Sequence, residues 1–589
     1  MTHAATHATG QPAAHAAVPA TPAAVPAAPP VAARETARPA PLTVLARGLR
    51  RHVPARLLPA LAVLALLAYP ASPGAEGATP ADAASAVLVL TVALRLLREG
   101  RDSGGRGESG AGGERGGSAG ETGGSRETGG SRETGGSRET GGSRETGGGR
   151  GATRFRAALT PRAALVLGAP VLALALAALG AADAATGIAG LGRYLQIFVL
   201  VPAALLLSLR DARDVRVLAW GLVALALAEG GVGVVQYLTG SGASYMGEDV
   251  RAVGTFGPGD VMGMATVVAY GLVAASGLAL ARTGEAPRLQ RPLAALCAAA
   301  LLVPLALSFS RGAWIATAAV LGLQLLAAGP RRALAVLAAA SAAAVVLVGG
   351  LGIGSAMLQE RLSSITKVTD APDQSVTDRY TLWAAAADMW REHPVTGVGL
   401  KNFPAHRDSH ASLALSAGSD TAGAGQDFRV QPLLSPHNMY LLVLGEQGLI
   451  GLTALAGSWA ALLVLGVRRL AGTHRRRARR RRPLDCGLVA CGLLVWQLVD
   501  FTYADIGGPA TVMTALALGL AAWWGLGARY GEERPGAEGA GSYGAEGDGS
   551  YGSGGSVAYE APGRPVPYAT PCSAPHRQPA SQPSERRTP

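Results

Sequence analysis

Runs of Ala, Leu and Val recur along almost the whole chain, and a helical bundle in a membrane is the fold that can bury so many of them. A membrane-spanning helix needs about 20 apolar residues. Twelve segments approach that length, near 57–72, 83–98, 162–182, 187–209, 215–238, 260–281, 292–309, 312–328, 332–350, 438–467, 484–503 and 508–527. We therefore predict an all-α, polytopic integral membrane protein with about 12 transmembrane helices.

The basic residues predict how the bundle is oriented. The chain has a formal net charge of +12, but its arginines collect in short connections before the first span and after every second one, at 47–56, 210–216, 282–291, 331–332 and 475–482. Positive charge is enriched in cytoplasmic loops. This predicts a multi-pass protein of the cytoplasmic (inner) membrane, in contact with its lipid and with both termini cytoplasmic. A nucleic-acid partner is not expected, because no nucleic-acid-binding motif accompanies the charge.

Composition divides the remaining chain into linkers and one structured loop. Disordered cytoplasmic segments are expected at 1–56, 99–161 and 528–589. The second contains Gly-Gly-Ser-Arg-Glu-Thr four times in succession, a repeat that has no apolar residue and cannot bury a core. Membrane helices then occupy 57–98, 162–350 and 437–527. The long connection 351–436 is predicted to be an extracytoplasmic loop subdomain.

A helix is the main element expected in that loop, over about 378–391. Thr377 or Asp378 can cap its start, and Pro394 ends it, with Gly397 and Gly399 permitting a tight turn. Four residues at helical spacing would share one face: Tyr380, Trp383, Ala387 and Trp390. Loops of this length in compact proteins usually carry function.

Four charged or titratable side chains are expected on the outer face, or just inside it. They are Arg251, Arg311, Arg379 and His437. A guanidinium group matches the oxygens of a phosphate, and fixed guanidinium groups would stabilise negative charge that develops on a leaving group. A histidine near neutral pKa could deprotonate or orient a hydroxyl group.

Each of these residues also has a structural explanation, which the sequence leaves open. An arginine at the end of a span often serves as an anchor that snorkels to the membrane surface. Arg379 could form an ion pair with Asp378 or Asp388. A histidine that precedes a helix, such as His437, can be its cap or a buried hydrogen-bonded residue.

Other polar residues do not suggest a cofactor or a metal. His406 and His410 are four residues apart, but no third ligand completes a metal site. Arg193 lies within the fourth span, where a charged group requires a partner. The cysteines form no CxxC pair and indicate no disulfide framework: Cys297, Cys486, Cys491 and Cys572. We expect neither cofactor nor metal.

Several short motifs resemble those of one family in their order and in their positions between spans. They are Arg251-Ala-Val-Gly-Thr-Phe-Gly257, Ser308-Phe-Ser-Arg-Gly-Ala-Trp314, the stretch 376–403 ending His-Pro-Val-Thr-Gly-Val-Gly-Leu-Lys-Asn-Phe, and Ser435-Pro-His-Asn-Met-Tyr440 followed by Leu444-Gly-Glu-Gln-Gly-Leu-Ile-Gly-Leu452. Over roughly 190–525 the chain resembles the O-antigen ligase and O-antigen polymerase family.

The resemblance implies a metal-independent, inverting glycosyltransferase. Such an enzyme would transfer a glycan from undecaprenyl diphosphate to a surface acceptor or a growing polysaccharide, on the outer face of the cytoplasmic membrane. His437 and Arg311 would be catalytic, and Arg251, Arg311 and Arg379 would bind the donor diphosphate. Asn438 and Glu446 would support them. The motifs do not distinguish a glycan, a lipid or a protein as acceptor.

The alternative is a multi-span transporter of an anionic or lipid-linked solute, since twelve spans are common among transporters. Two features oppose it. No internal repeat relates the two halves of the chain, and the polar candidates gather at one face of the membrane instead of the midplane. A purely structural membrane protein would leave this set of arginines and histidine unexplained.

Overall fold

The computed structural model describes residues 53–69, 79–108, 160–245, 251–257, 260, 262–280, 287–344, 374–416, 418–423, 429–475 and 483–527. Within them are fourteen helices, which we number α1 Leu58–Leu67, α2 Pro80–Glu108, α3 Pro161–Leu179, α4 Ala184–Ser208, α5 Ala212–Thr239, α6 Gly263–Leu280, α7 Gln290–Leu307, α8 Arg311–Ala328, α9 Pro330–Ala344, α10 Gln374–Glu392, α11 Phe403–His410, α12 Met439–Arg475, α13 Leu484–Asp500 and α14 Val512–Leu526. Short 3₁₀ turns precede α1, α6 and α14.

The prediction of an all-α polytopic membrane protein is confirmed. Each of the twelve predicted spans coincides with an observed helix, and eight helices are long and apolar enough to cross a membrane: α2 to α8 and α12. Two shorter apolar helices, Ala55–Leu67 and Val512–Leu526, coincide with the first and last predicted spans. The repeats, most of the segments predicted to be disordered, and residues 345–373 lie outside the described residues.

Polar side chains begin several of these helices. Thr160, Asp183, Asp211 and Ser310 each accept a hydrogen bond from a main-chain amide three residues further on, at the starts of α3, α4, α5 and α8. Such caps satisfy amide groups that the first helical turn leaves without partners. At these four helices, a local polar residue therefore marks where the helix begins.

Helix α6 lies at the centre of the bundle. Nearly all of its length is buried, and it packs against α5, α7, α8 and α13. Small residues allow the close approach of the surrounding helices, since a Cβ on Gly271 would stand only 2.1 Å from that of Ala226. The central helix therefore holds its neighbours at fixed positions.

Ion pairs connect helices at one end of the bundle. Arg56, just before α1, pairs with Asp214 in the first turn of α5 at 2.8 Å. Arg216 pairs with the fully buried Asp485 in the first turn of α13 at 2.6 Å. Because the partners carry opposite charges, their attraction offsets part of the free-energy cost of burying each one.

The charged residue within the fourth span has a partner too. Arg193 in α4 is hydrogen-bonded to Asp82, which belongs to the first turn of α2. Gln196 joins the pair and donates a hydrogen bond of 2.6 Å to Ser85. A π-helical turn, Gln196–Leu200, follows directly in α4.

A small antiparallel sheet supplements the helices. Strand β1, Ala243–Tyr245, pairs with β2, Ser419–Gly423, which in turn pairs with β3, Arg429–Gln431. The sequence predicted only helix in the long loop, so these strands are an addition. They tie that loop to the connection between α5 and α6.

Candidate functional site

The turn that follows α13 organises one end of the bundle. Met439, the first residue of α12, donates its main-chain amide to the carbonyl oxygens of Phe501 and Ala504, at 2.9 and 3.0 Å. The side-chain amide of Asn438 donates to the carbonyl oxygen of Thr502 at 2.9 Å. The start of α12 is thereby fixed against residues 500–505, which we call the α13 turn.

His437 lies at this junction in a left-handed backbone conformation, with φ of 47°. Its neighbour Asn438 accepts a hydrogen bond from the amide of Leu441 at 3.1 Å and so caps α12. The capping role that the sequence left open for His437 therefore belongs to Asn438. The imidazole of His437 lies partly buried between α12 and the α13 turn.

Arg379 reaches the same turn from α10. Its Nη1 donates to the carbonyl oxygen of Tyr503 at 3.4 Å. The two carboxylates considered as ion-pair partners have other contacts, since Asp378 accepts bonds of 2.8 and 2.7 Å from Ser416 and Asp388 pairs with Arg391. Arg379 is thus directed to the α13 turn.

Arg311 is the first residue of α8, and its helix begins against the same turn. Ser310 caps the helix. A Cβ placed on Gly312 would stand 2.4 Å from the ring of Tyr503, so glycine permits the close approach of these two segments. The exposed Arg311 is therefore carried on a helical turn that packs against Tyr503.

Arg251 belongs to the connection between α5 and α6 and lies beside the α7–α8 turn. Its main chain pairs with that of Ala243 at 2.9 and 3.1 Å, and the amide of Ala252 donates to the carbonyl of Leu307 at 3.1 Å. Leu307 is the last residue of α7, four positions before Arg311. Arg251 therefore adjoins the segment of Arg311, whereas His437 and Arg379 meet across the α13 turn.

The charges around His437 act in opposite directions. Burial is the largest influence and lowers the pKa of His437; the carboxylate of Asp505 raises that pKa, and the guanidinium of Arg379 lowers it. The net effect places the pKa below the ordinary value of 6.5. The imidazole is therefore mostly neutral at pH 7, which is the state that can accept a proton.

Glu446 occupies a different position from the other candidates. It lies in α12 about two turns beyond Asn438, and its Oε1 accepts a hydrogen bond of 3.2 Å from the amide of Phe403. Helix α12 is interrupted just after it, at Gly448, with φ of 62°. The amide of Leu449 turns instead to the carbonyl of Pro394 at 2.9 Å. Glu446 thus holds the loop after α10 against the broken helix.

Buried polar atoms near Glu446 extend this region into the bundle. The hydroxyl of Tyr194 and the amide of Gln447 are fully buried without a hydrogen-bond partner among the described residues, and the Nζ of Lys401 lies 5.9 Å from the centre of the Tyr194 ring. Polar groups at such depth are tolerated where they face a polar interior. Lys401 and Gln447 lie within the motif stretches 376–403 and 444–452, but neither stretch indicates a buried polar group, and Tyr194 belongs to no motif.

The α13 turn is the part of the site that sequence reasoning underrated. Asp500 and Asp505 stand at the end of an apolar run and suggest only structural charges. In the structure Asp505 influences the pKa of His437, and Tyr503 contacts the segments of Arg311 and Arg379. Asp505 and Tyr503 lie more than sixty positions along the chain from these partners, so no local sequence pattern indicates the contacts.

Residue types for metal binding do not gather in the part of the chain that the structure describes. No group of three His, Cys, Asp or Glu side chains there is arranged to hold an ion. The Nε2 atom of His410 is instead hydrogen-bonded to the carboxylate of Glu392 at 3.1 Å, and the Nδ1 atom of His406 is hydrogen-bonded to the carbonyl oxygen of Asn402.

Comparison with known families identifies the centre of the chain. Residues 296–456 match the family described as O-antigen ligase. The match contains four of the motif segments, at 308–314, 376–403, 435–440 and 444–452, while the Arg251 motif precedes it. This confirms the resemblance to the O-antigen ligase and polymerase family. A search of curated proteins gave no match.

Proposed function

We propose that this chain, whose residues 296–456 match the O-antigen ligase family, transfers a glycan from undecaprenyl diphosphate to a surface acceptor or a growing polysaccharide. The family match supports ligase- or polymerase-type glycan transfer at a membrane. The lipid diphosphate as donor is what the resemblance implies, and the chemistry of the candidate residues supports it. Three arginines and one neutral imidazole suit a reaction in which a diphosphate leaves and a hydroxyl attacks.

The observation that carries this proposal is the convergence on the α13 turn. Arg379 and His437 meet there, and the first turn of α8 brings Arg311 to Tyr503. These residues lie far apart in the chain, within the family match, and come together at one end of a membrane bundle. That is where a lipid diphosphate presents its charged group.

The reaction balances with these side chains alone. The acceptor hydroxyl oxygen attacks the anomeric carbon from the face opposite the diphosphate, and His437 takes its proton. The bond from the anomeric carbon to the diphosphate oxygen breaks, and that oxygen leaves with the electron pair. Arg251, Arg311 and Arg379 would stabilise the added negative charge. Attack from the opposite face inverts the anomeric configuration, and no step requires a metal.

Membrane orientation is part of the proposal. The ion-paired arginines Arg56 and Arg216 belong to the starts of α1 and α5, which the positive-inside rule assigns to the cytoplasm. The candidate site belongs to the opposite ends of the helices. We infer that it faces the outside of the inner membrane and that both chain termini are cytoplasmic.

A transfer assay with the purified chain and extracted lipid-linked glycan tests the proposal. We expect His437→Ala to lower kcat/KM about 10²–10⁴-fold and Arg311→Ala about 10²–10³-fold. Arg391→Ala and His410→Ala are matched controls, because both residues lie in the same loop with partners of their own. Full transfer by both site variants would refute the residue assignment.

The transporter alternative has its own outcome in the same preparation. The chain would be reconstituted in vesicles with lipid-linked glycan on one side. The transporter hypothesis would be favoured if an anionic or lipid-linked solute crossed the vesicle membrane and the glycan stayed attached to its diphosphate. That result would refute the proposal of glycan transfer.

A further inference from the structure

An aromatic pair on the surface of α10 lies next to the candidate site. The rings of Tyr380 and Trp383 are perpendicular, with centres 5.5 Å apart. The side chain of Tyr380 is 62% exposed. Neither the family match nor the proposed reaction gives this pair a role. The two rings give this part of α10 an exposed aromatic surface.

The pair is fixed in place relative to His437. The indole Nε1 of Trp383 donates a hydrogen bond of 2.8 Å to the carbonyl oxygen of Pro436, the residue just before His437. That bond limits rotation of the indole, and the perpendicular contact with Tyr380 limits the second ring. The surface is therefore positioned by the same segment that positions the candidate base.

The pair is also adjacent to the arginine proposed for the diphosphate. Arg379 and Trp383 are four residues apart in α10 and so lie on one side of the helix, one turn apart. Their side chains contact neighbouring carbonyl groups of the site, those of Tyr503 and Pro436. A ligand that placed its phosphate at Arg379 would bring the next group along its chain to the aromatic pair.

An exposed ion pair on the same helix favours contact of this surface with water over contact with lipid. The face of α10 that carries Tyr380 also carries Arg391 three turns later. Arg391 and its partner Asp388 are 66% and 47% exposed. A helix face embedded among acyl chains would not present such an ion pair. A role of Tyr380 as a membrane anchor is therefore disfavoured.

We propose that Tyr380 and Trp383 form a stacking site for the sugar ring joined to the diphosphate of the donor. This rests on the proposed function. The C–H groups on one face of a pyranose carry partial positive charge, and the faces of aromatic rings are negative. A sugar has such a face and also hydroxyl groups that stay in water. An exposed aromatic pair beside a phosphate-binding arginine fits these two requirements together.

Kinetics with the lipid-linked donor test the stacking site. Tyr380→Ala is expected to raise the KM for the donor about three- to tenfold, the fold-change that corresponds to an aromatic contact, with a smaller effect on kcat. Tyr380→Leu should behave like the alanine variant, because it keeps apolar area without the ring. Tyr380→Phe should restore the KM to within twofold. The control Leu413→Ala removes a fully exposed apolar side chain elsewhere in the loop.

The possible results separate the alternatives. An unchanged donor KM in the alanine and leucine variants would overturn the proposal. A wild-type donor KM in the leucine variant, together with a raised donor KM in the alanine variant, would also overturn it. That pattern would indicate that position 380 needs apolar area and not an aromatic ring. A rise in the KM for the acceptor, with the donor KM unchanged, would overturn the assignment to the donor sugar.

A binding measurement keeps this test distinct from the proposed function. Oligosaccharide released from the extracted donor by mild acid is titrated into the full chain in nanodiscs, and saturation-transfer NMR reports contact with aromatic protons. Wild type should bind and Tyr380→Ala should bind several-fold more weakly. If wild type bound the sugar but transferred none, the proposed function would fail and the stacking site would stand. Equal binding by the two proteins would refute the stacking site.

Discussion

The substitution Gly312→Ala tests whether the position of Arg311 matters, without changing any charged group. The added Cβ would stand 2.4 Å from a ring carbon of Tyr503, about 1 Å short of the 3.4 Å at which ordinary contact begins. Either the first turn of α8 or the ring must move by about that distance. A displacement of about 1 Å at a catalytic group costs on the order of 100-fold in rate. We therefore expect kcat/KM for glycan transfer to fall about 100-fold.

Two further variants make this result interpretable. Gly322→Ala lies in the same helix, where the new methyl group meets nothing within 4 Å, and should keep transfer within twofold of wild type. Tyr503→Ala, combined with Gly312→Ala, removes the clash and should recover most of the loss, because Arg379 binds the main-chain carbonyl of Tyr503. Wild-type transfer by Gly312→Ala alone would show that the packing of α8 on the α13 turn does not position Arg311.

Two other predictions concern the partners of His437 and the start of α12. Since His437 must be neutral to accept a proton, the acidic limb of the pH profile of kcat/KM should lie below pH 6.5; Arg379→Gln removes a charge that lowers the pKa and should move the limb upward, whereas Asp505→Asn should move it downward. Shifts in the same direction would contradict this reasoning. Asn438→Ala loses the cap and the bond to Thr502, and should lower the free energy of unfolding by about 1–3 kcal/mol. Asn438→Asp, which keeps the capping oxygen, should recover part of that loss in a thermal-unfolding assay.

The elements of the fold could be read from the sequence because their determinants are local. Apolar runs mark the membrane helices, and single residues such as Ser310 and Asp183 mark where α8 and α4 begin. The resemblance depended on motifs that are local as well. Their order is sufficient to indicate the family, and the motifs supply the candidate residues Arg251, Arg311, Arg379 and His437.

Contacts between distant segments could not be read in the same way. A partner for Arg193 was expected from the cost of burying a charge, but nothing near it in the chain indicates Asp82, 111 residues away. Similarly, the run 438–467 reads as one uninterrupted span, although α12 is broken at Gly448. The break depends on carbonyl groups of another segment that receive the freed amides. Such pairings have no periodicity, so no pattern in one segment reveals them.

Contacts at the break in α12 distinguish two groups of motif residues: those required for packing, and those that remain available for chemistry. The amides of Val398 and Gly399 donate to the carbonyls of Gly445 and Glu446, each at 2.9 Å, so the two glycine-containing motifs pack directly on each other. A Cβ on Gly397 would stand 2.4 Å from the main chain of Glu446, so this approach requires glycine. The glycines are thereby explained by packing, and Glu446 takes part in this contact through its main-chain carbonyl. His437 and Arg379 are not, because Asn438 supplies the cap and no described carboxylate pairs with Arg379. Residues of a motif that packing leaves unexplained are the ones to which the transfer reaction should be sensitive.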